Sequence, residues 1–291
     1  MGSISAAQSP SNEKAKELRA SIDTQLDALA RAVDEVRASE MFQSFLSFQA
    51  RFHSYSWHNS WLILMQRPTA ARVAGFKTWQ TMGRFVRKGE RGIMIFAPRP
   101  WTKEKDDGET ESGIFFRPVY IFDVAQTDGA ALPDIEVPNI DSDASALLNA
   151  LERVALQRGL TLQTDNTVDF GYATASGVIA LNDTHATGQR AKTLAHELAH
   201  AAMHFDKSVR AELNIDRNKA ELEAESVAYV VCAHFGLDCS VRCSRYIALW
   251  QGDSKALKAS LERIATTARG IIDEASALLD SSGEVVRKAV A

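Results

Sequence analysis

His196-Glu197-Leu198-Ala199-His200 is the stretch that decides how this chain folds. H-E-x-x-H on a helix is a zinc-binding pattern with a general base built in. Residues four apart lie on one helix face, roughly 6 Å apart along the axis. Two imidazoles so placed converge on one ion at Zn–N distances of about 2.0–2.1 Å. Glu197 follows His196 directly and is placed to take a proton from water bound to that ion. The flanks favour a helix: Thr187 or Gly188 starts it, nothing breaks 189–195, and Leu194, Leu198, Ala201, Ala202 and Phe205 recur at helical spacing. Five-residue matches also arise by chance, so the reading requires a third protein ligand.

That ligand is expected on a second helix over 217–231, which is rich in Ala, Leu and Glu and free of Gly and Pro. Glu221 and Glu225 share a face, and Glu223 points roughly the other way. Either of the first two suits a His₂Glu site with one open position. The plainer reading of such a glutamate run is a solvated helix face. His204 continues the histidine series but lies about 12 Å along the axis from His196, which fits a supporting or structural role better than ligation. His185 reads as polar surface. Tyr246 is a candidate oxyanion donor, provided its helix folds back over the cleft.

The 291 residues allow two domains, the 45% apolar share is ordinary, and a net charge of −4 gives no global nucleic-acid signature. No apolar run reaches the length of a membrane helix, and no basic-then-apolar leader pattern is present. Cys232, Cys239 and Cys243 are odd in number and late in the chain. They are expected to be reduced thiols of a cytoplasmic protein.

Residues 11–38 form an amphipathic helix by spacing. Helical pattern continues over 40–66, with a break near Ser54-Tyr55-Ser56 and a stop at Arg67-Pro68. The texture then turns to short apolar runs punctuated by Gly and Pro. Ile93–Phe96 and Phe116–Phe122 are expected strands around a charged hairpin tip. Residues 126–142 read as an interdomain linker. Beyond it come a helix over 144–158, short strands at 160–162 and 168–170, and a clear strand at 177–181. That last strand is expected to be an edge beside the metal, open to strand addition by an extended peptide. Helices over 187–205, 217–235, 243–251 and 254–280 follow. The expected class is α+β with two domains. Residues 1–125 form an N-terminal α+β nucleic-acid-binding domain, and 143–291 form a mostly helical zincin-like metallopeptidase domain with a small β-sheet.

Residues 67–103 carry nine basic side chains, with Glu90 the only acid among them. Arg67, Arg72, Lys77, Arg84, Arg87, Lys88 and Arg91 are candidate phosphate contacts. Trp57, Phe76 and Trp79 are candidates for stacking on unpaired bases, each stack being worth roughly 1–3 kcal/mol. Together they suggest single-stranded rather than duplex nucleic acid. The competing expectation is that tryptophans of a small domain form its core and that basic runs are solvated surface.

Several motifs then fall in a familiar order: His53-Ser54-Tyr55-Ser56-Trp57-His58-Asn59, Gln66-Arg67-Pro68, Val73-Ala74-Gly75-Phe76-Lys77-Thr78-Trp79, the run Gly83 to Ile93, and Phe122-Asp123-Val124-Ala125-Gln126-Thr127. They resemble the N-terminal domain of ArdC-type antirestriction proteins, which also fronts plasmid TraC-type primases. The C-terminal half resembles the metallopeptidase-like domain that ArdC proteins share in outline with the ImmA/IrrE family. The resemblance covers roughly residues 12–280. It implies a single-stranded-DNA-binding domain followed by a Zn²⁺-binding domain, on a mobile element whose incoming DNA is guarded against host restriction. Glu221-x-x-Ala224-Glu225 resembles the E-x-x-A-[DN] element of zinc peptidases. By that resemblance the metal ligands are His196, His200 and Glu221, Glu197 is catalytic, and Glu225 orients a histidine. Two rivals stand beside this reading: an ImmA-like protease that cleaves a repressor, and a DNA-binding module whose zinc site is catalytically unused. A nuclease is a weaker third, since phosphodiester hydrolysis favours carboxylate-rich sites and hard cations.

Overall fold

The computed structural model describes residues 10–30, 35–104, 110–132, 144–205, 216–237 and 253–281. The helices are α1 (Pro10–Ala30), α2 (Glu35–Arg51), α3 (Trp57–Gln66), α4 (Phe76–Thr81), α5 (Ser145–Gln157), α6 (Thr187–Met203), α7 (Arg217–His234) and α8 (Ser254–Ser281). The strands are β1 (Val73–Gly75), β2 (Arg84–Val86), β3 (Ile93–Glu104), β4 (Thr110–Asp123), β5 (Thr127–Gly129), β6 (Thr161–Thr164), β7 (Gly171–Ala173) and β8 (Val178–Leu181). The α+β class with two domains and small sheets is as the sequence indicated. Among the described residues no helix is long and apolar enough to cross a membrane. The helix expected over 243–251, with Cys239, Cys243 and Tyr246, lies outside the described residues.

Two compact units divide the chain discontinuously. One comprises Met1–Gln25 and Trp61–Leu132; the other comprises Leu26–Ser60 and Pro133–Ala291. Residues 26–60, grouped by sequence with the first 125, therefore pack in the second unit. The buried face of α2, with Phe42, Phe45 and Leu46, lies against α7. Ser47 Oγ is 2.7 Å from the Tyr229 hydroxyl, and His234 Nδ1 is 3.0 Å from the Ala50 carbonyl. Amphipathic spacing shows that α2 has a buried face but not what covers it.

In the first unit β1, β4 and β3 form one antiparallel sheet in that order. The β3–β4 hairpin runs from the rung Ile93↔Ile121 out to Glu104↔Thr110, well beyond the expected strands. Buried Asp123 organises the loops at its base. It accepts hydrogen bonds from the Ala71 amide at 2.9 Å and the Arg72 amide at 3.2 Å. It also caps the 3-10 turn Val124–Gln126, and Gln126 answers from its side chain to the Asp123 amide at 3.0 Å. β5 pairs with β2 through Arg84↔Gly129, so the start of the expected linker is sheet. Thr127-Asp128-Gly129 has turn composition, and only pairing with β2 makes it a strand. Residues 133–143 of that linker lie outside the described residues.

In the second unit α6 packs against α5, α7, α8 and the sheet. Leu151, Val154, Leu194, Leu198, Val227, Val231, Leu261 and Ile264 are fully buried between these helices. Each such side chain contributes about 1.5–3 kcal/mol, which outweighs helix propensities of tenths of a kcal/mol. The sheet order is β6–β8–β7, with β6 parallel and β7 antiparallel to β8. The strand at 178–181, expected to be an edge, is therefore central. The edge beside α6 is β7, at residues the sequence reading passed over. Gly171 explains why it fits: a Cβ there would lie 2.6 Å from the Ala180 carbonyl oxygen and 2.9 Å from Thr193.

Candidate functional site

Leu194 and Leu198, with Ala191, Ala195 and Ala199, bury one side of α6 in the core, and the other side lines a cavity of about 1060 Å³. His196, Glu197 and His200 line it from α6, Glu221 and Glu225 from α7, and Phe170 to Ala173 from the β7 edge. The Nε2 atoms of His196 and His200 are 3.0 Å apart. Glu221 Oε2 lies 3.4 Å from the first and 3.5 Å from the second. Ligands about 2.0–2.1 Å from a tetrahedral ion sit roughly 3.3–3.4 Å from one another. The triangle formed by the three donor atoms is thus close to one face of such a tetrahedron, and the fourth position opens on the cavity. Among the described residues this is the one group of His, Cys, Asp or Glu whose donors gather closely enough for a metal.

Glu221 and Glu225 address opposite nitrogens of His196. Glu221 approaches Nε2, while Glu225 Oε2 lies 3.4 Å from Nδ1. Lys192 Nζ holds the other Glu225 oxygen at 2.6 Å. The two glutamates left open as third ligand by helix spacing are therefore distinguished by which ring nitrogen they meet. Burial alone would lower the pKa of His196, but hydrogen bonds to Glu221 and Glu225 outweigh it and raise the value to about 9. His196 and then His200 hold the Glu221 carboxyl well below the usual carboxylate range. Burial opposes ionisation of Glu225, yet His196 and Lys192 bring it down to about 2. Glu197 is buried and its pKa is raised by that burial, which suits a group that must accept a proton near neutrality.

A second polar column supports the first. His200 Nδ1 is 3.0 Å from His204 Nδ1, and His204 Nε2 is 3.0 Å from Glu223 Oε2. Arg263 of α8 donates through Nε to the same Glu223 oxygen at 3.2 Å and through its terminal nitrogen to the other. Glu223 is buried; burial disfavours its charge, but His204 and Arg263 lower its pKa. Helix spacing puts Glu223 on the far side of α7, and its partners come from α6 and α8. His185 accepts no such role: its Nε2 lies 2.6 Å from the Asp169 carbonyl and its ring stacks on Phe170.

The candidate nucleic-acid contacts divide. Trp57 and Trp79 are each 2% exposed and cannot stack on a base, which corrects the expectation for both. The Trp79 indole donates to the Phe122 carbonyl at 2.9 Å, and Trp57 packs on His58. Large aromatics fill the core of a small unit first. Arg67, Arg84 and Arg87 are tied into the fold. Arg67 pairs with Asp123 at 3.3 Å, Arg84 binds the Thr127 hydroxyl at 2.8 Å, and Arg87 pairs with Glu90 at 2.7 Å. Phe76, Lys77, Lys88 and Arg91 are exposed, and Arg72 is half-buried. Exposed Phe85 belongs with them.

A helix pair presenting two imidazoles and a carboxylate to one point, beside a short edge strand, is the arrangement of a metallopeptidase-like domain. Residues 158–234 match the family model described as the IrrE N-terminal-like domain, of peptidase family M78. Residues 12–122 match that of the N-terminal domain of the anti-restriction factor ArdC. The chain thus resembles the N-terminal domain of ArdC over its first part and the IrrE N-terminal-like domain over its second. A metal-free crystal structure of the antirestriction protein ArdC from the R388 plasmid shares the fold at a TM-score of 0.55. It is 22% identical, covering 79% of this chain and 85% of that one. A Mn(II)-bound structure of that protein gives a TM-score of 0.48 at 23% identity, covering 76% and 82%. An uncharacterized protein of Bacillus anthracis is 26% identical, the match covering 78% of this chain and 46% of that protein. The chain therefore spans about half the length of this curated relative.

Proposed function

We propose that the chain is an antirestriction protein of a mobile element, acting in the cytoplasm, which binds single-stranded DNA and carries a zinc metallopeptidase-like site. The observation that carries the second half is the His196–His200–Glu221 triangle with Glu197 beside it. Two imidazoles and one carboxylate suit Zn²⁺ better than a hard cation that demands oxygen ligands. Bound there, such an ion would supply a Lewis acid that makes an attacking water more acidic. Glu197 accepts the proton of the attacking water and delivers it to the leaving amine. Glu225, itself held by Lys192, orients the His196 ring. The β7 edge offers backbone amides along which an extended peptide can lie in the cavity. Single-strand binding is supported by the ArdC match over 12–122 and by the exposed basic and aromatic side chains of that region.

The test is metal content by plasma mass spectrometry of the purified wild-type, His196→Ala and Glu197→Gln proteins, with each scored for DNA binding and for protection of DNA in a restricting host. One zinc per wild-type chain, lost in His196→Ala and kept in Glu197→Gln, is expected. Absence of bound metal in every preparation, or preference for manganese over zinc, sinks the zinc assignment. The IrrE-like match also favours a second reading, a regulatory protease acting on a repressor. That reading requires Glu197→Gln to abolish function and to restore the level of one cellular protein. Protection that survives Glu197→Gln leaves the site catalytically unused.

A further inference from the structure

We infer that the projecting β3–β4 hairpin is the surface on which this protein grips unpaired nucleic acid, through Arg99, Trp101, Phe115 and Arg117. The inference rests on the single-strand binding proposed above and assigns it to residues that are not among the candidate contacts named from sequence. β1 pairs only with residues 121–123 of β4, so among the described residues the outer part of the hairpin has no third strand. Residues paired across an antiparallel ladder share a face. On one face the rungs are Ala97↔Arg117, Arg99↔Phe115 and Trp101↔Gly113. Phe115 is 50% and Trp101 37% exposed. The indole lies against Gly113, where a Cβ would come within 2.7 Å of Trp101 Nε1; only glycine leaves that room. Arg99 is exposed, and Arg117 Nε is buried without a hydrogen-bond partner among the described residues. Arg67, Arg84 and Arg87, by contrast, spend their guanidinium groups on the fold.

The opposite face has the rungs Phe96↔Pro118, Pro98↔Phe116 and Pro100↔Ile114, without charge. Proline has no amide hydrogen, so in a ladder it sits where that hydrogen would point away from the partner strand. Pro98, Pro100 and Pro118 therefore strip donors from the two outer edges, which disfavours pairing with another strand or a second copy. Recognition falls to side chains. Exposed aromatic rings beside unengaged guanidinium groups match the two needs of an unpaired strand, base stacking and phosphate neutralisation.

The experiment uses the full chain and fluorescence anisotropy with a labelled oligothymidylate and a duplex of equal length. Phe115→Ala is expected to weaken single-strand binding roughly 5- to 150-fold, the span of one base–aromatic stack. Arg99→Ala and Arg117→Ala should each reduce the salt slope by about 0.7. Ile114→Ala, on the uncharged face, should change neither. Unlabelled oligothymidylate should quench Trp101 fluorescence, a signal lost in Trp101→Phe. All these side chains but Arg117 are exposed, so circular dichroism and melting should match wild type for Phe115→Ala. Wild-type affinity in Phe115→Ala and Arg99→Ala overturns the assignment while single-strand binding stands. No wild-type binding at all overturns the functional reading and this inference with it. Variants that alter sedimentation of the free protein but not DNA affinity would make the hairpin a protein interface and overturn the inference too.

Discussion

Loading a divalent ion into the His196–His200–Glu221 triangle at pH 7 is expected to expel a proton from His196. That ring has its pKa raised to about 9, so it is protonated at neutrality in the metal-free chain. A ligating imidazole must be neutral. Stripping a proton two units below the pKa costs about 3 kcal/mol, or about 100-fold in affinity at pH 7 relative to pH 9. Glu221, which supports the shift, is 52% exposed, and solvent screening reduces the penalty to about tenfold as a conservative figure. The sign follows from competition: proton and metal claim the same nitrogen, so affinity rises with pH until it passes the raised value. In the metal-free fold the same pairing is stabilising below pH 6.5, and that stabilisation fades as pH climbs through 9. Glu225→Gln removes one of the two carboxylates that hold the proton, so it should release fewer protons and flatten the pH profile. Calorimetric zinc titrations at pH 6.5–8, in two buffers of different ionisation enthalpy, count the protons. Water on the metal adds its own proton equally in both proteins, so the difference between them is the readout. Equal release from wild type and Glu225→Gln, or an affinity flat with pH, refutes the reasoning.

His204→Ala should weaken metal binding about 10- to 100-fold by freeing the His200 ring, with the metal still bound at high concentration; equilibrium competition with a chelator measures it. His53 is half-buried, and that burial, then His234 and Arg269, lower its pKa to about 4, so the folded chain keeps it neutral. The unfolded chain takes up that proton near pH 6.5, and stability should fall by up to about 3 kcal/mol as pH drops from 6.5 to 4. His234, lowered chiefly by burial, adds in the same direction. Urea midpoints at pH 7 and 4.5 for wild type and His53→Phe check this, and parallel loss in both proteins counts against it. Trp79→Phe should cost about 1–3 kcal/mol by orphaning the Phe122 carbonyl, yet leave oligothymidylate affinity unchanged.

The metal triangle was legible because its geometry is local. Spacing of four on α6 fixes the separation of His196 and His200, and the same spacing on α7 puts Glu221 and Glu225 on one face. Only the angle between the two helices had to be supplied by the fold. The basic, aromatic stretch was legible only as composition. Counting Trp57 and Trp79 as stacking groups ignored the demand of the core for large rings, and the role of each arginine depended on partners distant in sequence, such as Asp123, Thr127 and Glu90. The β7 edge was missed because Gly171-Tyr172-Ala173 carries no β-branched residue; its place comes from the close approach that glycine permits. The reach of the hairpin was missed for a similar reason, since Pro98 and Pro100 read as breakers until their alternation along the edge of β3 is visible.

The angle between α6 and α7 is the part of the site that no local pattern encodes, and the polar column beneath the triangle is where it is set. His200 meets His204 on α6, His204 meets Glu223 on α7, and Glu223 meets Arg263 on α8. A buried carboxylate is stable there only while both cations or donors flank it, since removing one partner of such a set costs about 3–5 kcal/mol. Glu221 is two residues from Glu223 on the same rigid helix. Any movement that strains the buried pairing therefore also moves Glu221 away from the imidazoles. Metal affinity and the packing of three helices are in this way one equilibrium. An ion that binds only the assembled triangle stabilises the whole second unit by mass action, not merely the loops around the cavity.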